Sequence, residues 1–296
     1  MLRTLTMAAL MALSVSTAQA EDVFLKTTMG LTLGANLELA DGKSVADGVV
    51  LLTHGTLAHN KMEIIVALQE TLKERGISTL APTLGLDVNK RQGMYDCTVP
   101  TTHKHSDAMD EIGLWLDWLK GQGARQVVLA GHSRGGNQTA WFAARENDPA
   151  VSRVVLIAPA TWNADDAAKG FAKTHKQDLK GVLTRAERMI EVQHANDLMK
   201  GVGVLYCPGA DVTAASFVSY YRFDDRRHTP YLIPMIEKPV LVIAGSEDTV
   251  VTGLIDAVKP LADAGKAQLV VIDGADHFFK DLYAEDVADA IAEFLQ

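Results

Sequence analysis

A serine between glycines lies where an apolar run gives way to a helix-like segment. The run Gly131-His132-Ser133-Arg134-Gly135 follows the apolar stretch 127–130 and precedes a helical pattern over 137–145. A G-x-S-x-G sequence in this setting is typical of a sharp turn that holds a serine hydroxyl clear of a sheet. Ser133 is therefore the candidate nucleophile.

A neutral serine needs a base to take its proton, and that base needs a third group that fixes its tautomer. Both residue types follow downstream, each just after an apolar run that predicts a buried strand. The run 239–245 precedes Asp248, and the run 268–272 precedes His277. We interpret His277 as the base and Asp248 as the orienting acid. The neighbouring carboxylates, interpreted as solvated loop side chains, are Glu247, Asp273 and Asp276.

An upstream apolar run, 49–53, ends in His54-Gly55-Thr56. An oxyanion that develops during attack needs fixed N–H donors, and by position these are the backbone groups of Thr56 and Arg134. The histidines His54 and His132 flank these turns. We expect both to be structural and to be held by local hydrogen bonds.

Four segments together resemble the α/β-hydrolase superfamily. They are VVLLTHGT at 49–56, VVLAGHSRGG at 127–136, PVLVIAGSED at 239–248 and VVIDGADHFF at 270–279. The chain order serine, acid, histidine is also that of the superfamily. The resemblance implies an α/β-hydrolase fold, with a mostly parallel sheet flanked by helices, and acyl transfer to water. It leaves the substrate open, because this fold hosts many chemistries.

The remaining pattern agrees with such a sheet. Apolar strand-like runs alternate with helix-like segments, which predicts a parallel sheet covered on both faces. The segments 24–29 and 31–39 predict an antiparallel pair that turns at Gly30. No internal repeat or linker indicates a second independent domain.

Between residues 160 and 238 the alternation stops, and helical patterns recur near 162–172, 183–199 and 214–221. The resemblance implies a helical cap here, inserted over the pocket, where it would choose the substrate. The aromatic residues at helical spacing, predicted either to face the pocket or to pack the cap against the core, are Phe217, Tyr220 and Tyr221. The charged cluster 224–228 is interpreted as solvated and mutually paired.

The first twenty residues predict a secretory signal peptide. Arg3 precedes a mostly apolar stretch at 5–15, and Ala18-Gln19-Ala20 is a cleavage signal. That stretch is too short to span a membrane. We therefore expect a signal peptide at 1–20, a hydrolase domain at 21–296 without a stable membrane anchor, and export to a periplasm, with secretion into the medium as the alternative.

The chain has two cysteines, Cys97 and Cys207. In an oxidising compartment an even pair favours a disulfide. Such a bridge would pin the cap to the loop that follows the strand at 77–81. Two free buried thiols are the alternative.

Charge and motifs exclude several partners. The net charge is −9 with no basic run, which argues against nucleic acid and anionic membranes. No phosphate-binding loop or dinucleotide fingerprint occurs, so no nucleotide cofactor is indicated. His103, His105 and Asp107 lack a further strong ligand at suitable spacing, so we expect no metal site. The oligomeric state stays open.

The sequence thus favours an exported serine hydrolase that cleaves an ester or a related acyl bond of a small molecule. Thioesterase, lysophospholipase and peptidase activities would use the same residues. The alternative is a non-catalytic binding protein that retains the fold. The presence of a complete set of serine, histidine and acid argues against that alternative.

Overall fold

The computed structural model describes residues 20–296, so the predicted signal peptide lies outside the described residues except for Ala20. The strands in this part of the chain are β1 (Glu21–Lys26), β2 (Thr32–Glu38), β3 (Val49–Thr53), β4 (Thr79–Thr83), β5 (Val127–His132), β6 (Val151–Ile157), β7 (Leu198–Met199), β8 (Val212–Thr213), β9 (Val240–Gly245) and β10 (Gln268–Ile272). The α-helices are α1 (Glu63–Glu74), α2 (Asp107–Gly121), α3 (Arg134–Arg145), α4 (Ala164–His175), α5 (Leu179–Glu191), α6 (Ala214–Tyr221), α7 (Thr229–Leu232), α8 (Leu254–Asp263) and α9 (Tyr283–Leu295).

One eight-stranded sheet forms the centre of the molecule, in the order β1-β2-β4-β3-β5-β6-β9-β10. Strand β2 runs antiparallel to both β1 and β4, and the other neighbours are parallel. Every residue of β3, β5 and β9 is buried. These strands are continuous apolar runs because helices cover both faces of the sheet. The predicted antiparallel pair corresponds to β1 and β2.

Two apolar layers hold the helices against the sheet. Helices α2, α3 and α8 pack on one face, and α1 and α9 pack on the other. On α2, the predicted stripe of Ile112, Leu116 and Leu119 is buried. Burial of this stripe is what attaches the helix, since an isolated helix of this length is marginal in water. No described helix is both long and apolar enough to cross a bilayer.

The insertion between β6 and β9 contains α4 to α7 and has an apolar core of its own. It also contains the short antiparallel pair β7 and β8, which the sequence did not predict. Strands of two residues leave no periodicity to detect. Cys97, in the loop after β4, is bonded to Cys207, in the segment between β7 and β8, with their Cα atoms 5.2 Å apart. The bond joins the insertion to the main sheet domain.

Candidate active site

Ser133 stands in a tight turn between β5 and α3. Its φ of 56° and ψ of −124° are unusual for a residue with a side chain. Small neighbours permit the turn. A Cβ at Gly135 would collide with the carbonyl oxygens of Thr53 and His54, and one at Gly131 would collide with the Gly135 carbonyl. The glycines therefore allow α3 to approach the sheet closely behind the serine.

The loops after three parallel strands bring Ser133, His277 and Asp248 together. The ring nitrogen Nε2 of His277 lies 2.9 Å from the Oγ of Ser133. Its other nitrogen, Nδ1, lies 2.8 Å from Oδ2 of Asp248. The carboxyl ends of parallel strands meet at one edge of a sheet, so residues distant in sequence converge there. The arrangement can move a proton from the serine hydroxyl to the imidazole.

Asp248 is the carboxylate that contacts the imidazole. Its Oδ1 accepts the backbone N–H groups of Val250 and Val251, at 2.7 and 2.9 Å. Burial raises the pKa of Asp248, but the hydrogen bonds from His277 and from these amides outweigh burial and hold it below its usual value. The carboxylate is therefore ionised and can stabilise an imidazolium.

The neighbouring carboxylates have other partners. Asp276 accepts the backbone N–H of Phe278 at 2.8 Å, and Asp273 accepts the hydroxyl of Ser246 at 3.2 Å. Glu247 is exposed. None of these three contacts the ring of His277 within the described residues.

Thr56 and Arg134 lie beside Ser133. Within residues 20–296 the backbone N–H of Thr56 donates to no protein acceptor. Arg134 is the first residue of α3, where backbone N–H groups have no partner inside the helix. Their side chains are also joined, because Nε of Arg134 donates to Oγ1 of Thr56 at 2.9 Å. That bond ties together the two turns that carry the candidate oxyanion donors.

The two flanking histidines are held as neutral rings. His54 donates from Nδ1 to the carbonyl of Gly55 at 2.8 Å and accepts the N–H of Leu84 at Nε2, at 3.0 Å. His132 donates from Nε2 to the carbonyl of His277 at 2.9 Å. Burial lowers the pKa of His54 to about 3 and that of His132 to about 4. The bond from His132 supports the loop that presents the imidazole.

A cavity of about 200 Å³ opens at Ser133 and His277. Its other walls are largely apolar and include Met62, Ile65 and Phe278. We call it the serine cavity. It could hold a small apolar group next to the hydroxyl.

A second cavity, of about 290 Å³, lies under the insertion. Its walls include Arg134, Tyr220, Tyr221 and Arg227, and we call it the arginine cavity. Of the two roles expected for Phe217, the structure contradicts the first, a pocket-facing one, because Phe217 lines neither of these cavities. Phe217 is fully buried in the core of the insertion, where it packs against Phe171 and Tyr221.

The charged cluster 224–228 also differs from the sequence-based interpretation. Arg226 is exposed and pairs with Asp224 at 2.7 Å, as expected of a solvated cluster. Arg227 instead turns inward and is only 4% exposed. Arg226 and Arg227 are adjacent in a short 3₁₀ turn, so their side chains point in different directions. No pattern in the sequence marked which of the two is buried.

The histidines considered as metal ligands bond to other protein groups. Nδ1 of His103 lies 2.7 Å from the hydroxyl of Tyr220. His105 donates from Nε2 to Oδ1 of Asn137 at 3.0 Å, and its Nδ1 accepts from Arg134 at 3.2 Å. Among residues 20–296 no group of three potential ligands is placed to hold a metal ion. His105 thus supports the side chain of Arg134, a role that the sequence did not indicate.

Comparison with known proteins agrees with this architecture. Residues 49–294 match the model of the family described as the alpha/beta hydrolase family. The chain is 25% identical over 214 residues to the bifunctional esterase/perhydrolase DCH of Acinetobacter calcoaceticus, which covers 66% of this chain and 75% of that protein.

Solved structures show the same fold. Est1E from Butyrivibrio proteoclasticus superposes with a TM-score of 0.63 at 21% identity, covering 93% of this chain and 97% of that one. Est1E has also been solved with ferulic acid bound. The Pyrococcus furiosus esterase Pf2001 gives a TM-score of 0.60 at 17% identity, covering 94% and 90% of the two chains. The predicted fold class is therefore confirmed.

Proposed function

Because the chain belongs to the alpha/beta hydrolase family, we propose that it is a serine hydrolase that cleaves carboxylic esters through Ser133, His277 and Asp248. The proposal rests on two consecutive hydrogen bonds, from Ser133 to His277 at 2.9 Å and from His277 to Asp248 at 2.8 Å. Ser133 and His277 line the serine cavity. Relatives and structural neighbours named as esterases support ester hydrolysis as the reaction.

In the proposed mechanism, His277 takes the hydroxyl proton as Ser133 Oγ attacks the ester carbonyl. The ionised Asp248 holds the ring with Nδ1 protonated and stabilises the imidazolium that forms. The backbone N–H groups of Thr56 and Arg134 receive the developing oxyanion. A donor of this kind is worth about 10²–10³-fold in kcat.

The imidazolium then gives its proton to the departing alkoxide, which leaves as the alcohol. Water attacks the acyl-enzyme in the second half of the cycle, with His277 again acting as base. His277 Nε2 takes the proton of that water, the bond between the acyl carbon and Ser133 Oγ then breaks, and the imidazolium returns the proton to Oγ as the acid leaves. No cofactor is needed for either half.

The direct test compares wild-type protein with Ser133→Ala on activated esters such as 4-nitrophenyl acetate. We expect the variant to fold and to lose about 10⁴-fold or more of turnover, since no acyl-enzyme can form. An alanine variant that keeps a tenth of the wild-type rate would refute the assignment. A wild-type protein that hydrolyses no ester but binds small molecules would favour the non-catalytic alternative.

Export is part of the same proposal, on the evidence of the leader at 1–20. Cleavage after Ala20 would give a mature chain that begins at Glu21, in a periplasm or in the medium. Fractionation of the producing cells, with the N-terminal residue identified by mass spectrometry, tests this directly. An uncleaved chain in the cytoplasm would contradict it.

A further inference from the structure

Arg227 brings buried and unpaired hydrogen-bond donors to the arginine cavity. The side chain is 4% exposed, and its Nη1 donates to the carbonyl of Tyr220. Its Nε and Nη2 atoms are buried and have no hydrogen-bond partner among the described residues. The guanidinium carbon of Arg227 also lies 5.1 Å from the ring centroid of Trp162. Buried donors without an acceptor are costly and uncommon, so these two atoms are candidates to bind a ligand.

A second guanidinium lines the same cavity, and its partners are neutral. Arg134 donates to the hydroxyl of Thr56 and to the ring of His105, and it lies 5.5 Å from the ring centroid of Tyr220. Burial and Arg134 keep the pKa of His105 well below its usual value, so this ring carries no charge. Within residues 20–296 neither Arg134 nor Arg227 has a carboxylate oxygen within 4.0 Å.

The nearby carboxylates are occupied elsewhere. Asp224 forms its ion pair with Arg226 on the exterior. Asp166 lines the cavity but is exposed, and its carboxylate accepts one hydrogen bond from the side-chain amide of Asn163. Burial and Arg134 lower the pKa of Arg227 to about 10, so Arg227 remains charged at neutral pH. The cavity therefore holds two positive charges, and the one carboxylate among its lining residues, that of Asp166, forms an ion pair with neither arginine.

The arginine cavity adjoins the nucleophile. It shares Thr56, Tyr206 and Val250 with the serine cavity, and Arg134 directly follows Ser133 in the chain. A molecule whose scissile bond lies at Ser133 can extend one end into each cavity. The serine cavity is apolar, whereas the arginine cavity is cationic.

We propose that the arginine cavity binds a carboxylate of the substrate, so that the preferred substrates are small esters with an apolar group on one side and a carboxylate on the other. Nε and Nη2 lie on one edge of the guanidinium, which matches the two oxygens of a carboxylate. Because both atoms are buried in this structure, binding requires the Arg227 side chain to turn that edge toward the cavity. This substrate class rests on the proposed hydrolase function and makes it more specific.

The experiment compares matched carboxylate and amide esters. Monoethyl adipate and the ethyl ester of adipic acid monoamide carry the end group on the acyl side. The carboxylate 5-acetoxypentanoate and its neutral amide, 5-acetoxypentanamide, carry it on the alcohol side. In wild-type protein we expect kcat/KM for the carboxylate to exceed that for the amide by about 10- to 100-fold in at least one pair, from the strength of charged hydrogen bonds.

Two neighbouring arginines give a matched set of variants. Arg227→Gln should reduce the carboxylate-to-amide ratio to about one, and Arg227→Lys should leave an intermediate ratio because it keeps the charge without the paired donors. Arg226→Gln, at an exposed side chain that already has an ion pair, should leave both the ratio and the turnover at wild-type values.

A wild-type ratio of one or less in both pairs would overturn the carboxylate site and leave ester hydrolysis standing. A protein that hydrolyses no ester would instead refute the proposed function. In that case calorimetric titration of Ser133→Ala with monoethyl adipate still decides the site. Binding at least tenfold tighter than that of the matched amide supports it, and equal binding overturns it.

Discussion

At the scale of single residues, the site depends on which of several similar side chains points toward Ser133 and His277 or toward the cavities beside them. Of the acidic residues Glu247, Asp248, Asp273 and Asp276, Asp248 is the one that hydrogen-bonds to the ring of His277 in the described structure. Two adjacent arginines separate in the same way, with Arg226 outside and Arg227 inside. The segment PVLVIAGSED favoured Asp248 as the acid, although Glu247 is adjacent to it, whereas nothing in the sequence distinguished Arg227 from Arg226.

The choice of acid leads to a ranking of variants. Asp248→Asn should lower turnover by roughly 10³–10⁴-fold while the protein stays folded, because the amide cannot hold the ring of His277 in the required tautomer. Asp276→Asn and Glu247→Gln are the matched controls and should cost less than about tenfold. Steady-state kinetics on one ester would measure all three. Greater sensitivity at Asp276 or Glu247 would move the acid to that position.

At the scale of elements, the insertion is a small layer with its own core, and this explains why its aromatic residues differ in role. Tyr220 and Tyr221 line the arginine cavity, and Phe217, on the same helix, fills the core behind them. Helical spacing predicted α6 but not which side of it faces the cavity. That depends on the packing of α6 against α4 and α5, which involves contacts distant in sequence.

Phe217 should therefore act on stability rather than on selectivity. Phe217→Ala should lower the free energy of unfolding of the insertion by about 3–5 kcal/mol, because the change leaves a cavity in its packed core. Urea denaturation would measure the loss, and an ester panel would show one common factor across substrates. Tyr221→Phe is the comparison, since it removes only the hydroxyl that accepts the N–H of Leu205. A reordered preference in Phe217→Ala would contradict this role.

The bond between Cys97 and Cys207 closes a long loop, with a sequence separation of 110 residues. In the chain-entropy model such a bridge stabilises by roughly 4–5 kcal/mol, and engineered cases often give less. Protein from an oxidising compartment should contain no alkylatable thiol by mass spectrometry, and Cys97→Ser with Cys207→Ser should melt at a lower temperature. Two free thiols in unreduced protein would contradict the bridge.

At the scale of the whole molecule, the sheet was the most predictable part. Its central strands are buried on both faces and read as unbroken apolar runs, and the motif residues stand at their carboxyl ends. The strand order was not readable from the pattern, because hydrogen bonding between strands leaves little trace in sequence. The two-stranded pair in the insertion was missed because strands of two residues show no periodicity. The interior position of Arg227 was missed because no pattern marks which side chain of a short 3₁₀ turn is buried.

Buried histidines make the whole fold sensitive to acid. Burial lowers the pKa of His54 and His103 to about 3, that of His132 to about 4, and that of His105 well below its usual value. In the unfolded chain these groups bind protons below about pH 6.5. Burial raises the pKa of Glu111 to about 7, which offsets one of these protons.

Through these groups, unfolding should therefore take up about two protons at pH 6 and about three at pH 5, and stability should fall as the pH falls. Each proton taken up lowers the free energy of unfolding by about 1.4 kcal/mol for each pH unit of acidification, once the group is fully protonated in the unfolded chain. Urea denaturation at pH 7, 6 and 5 would measure the slope. His132→Gln should make it shallower by about one proton. Equal stability at pH 7 and 5 would contradict the burial of neutral imidazoles.

The central claim is that Ser133 is an activated nucleophile, and reaction with a fluorophosphonate tests this most directly, since the reagent forms a stable bond with such serines. Intact mass spectrometry should find one adduct per chain, and digestion should map it to the peptide that contains Ser133. Ser133→Ala should remain unlabelled, and Asp248→Asn should label much more slowly. An unmodified Ser133 in wild-type protein, with the adduct elsewhere or absent, would contradict the account.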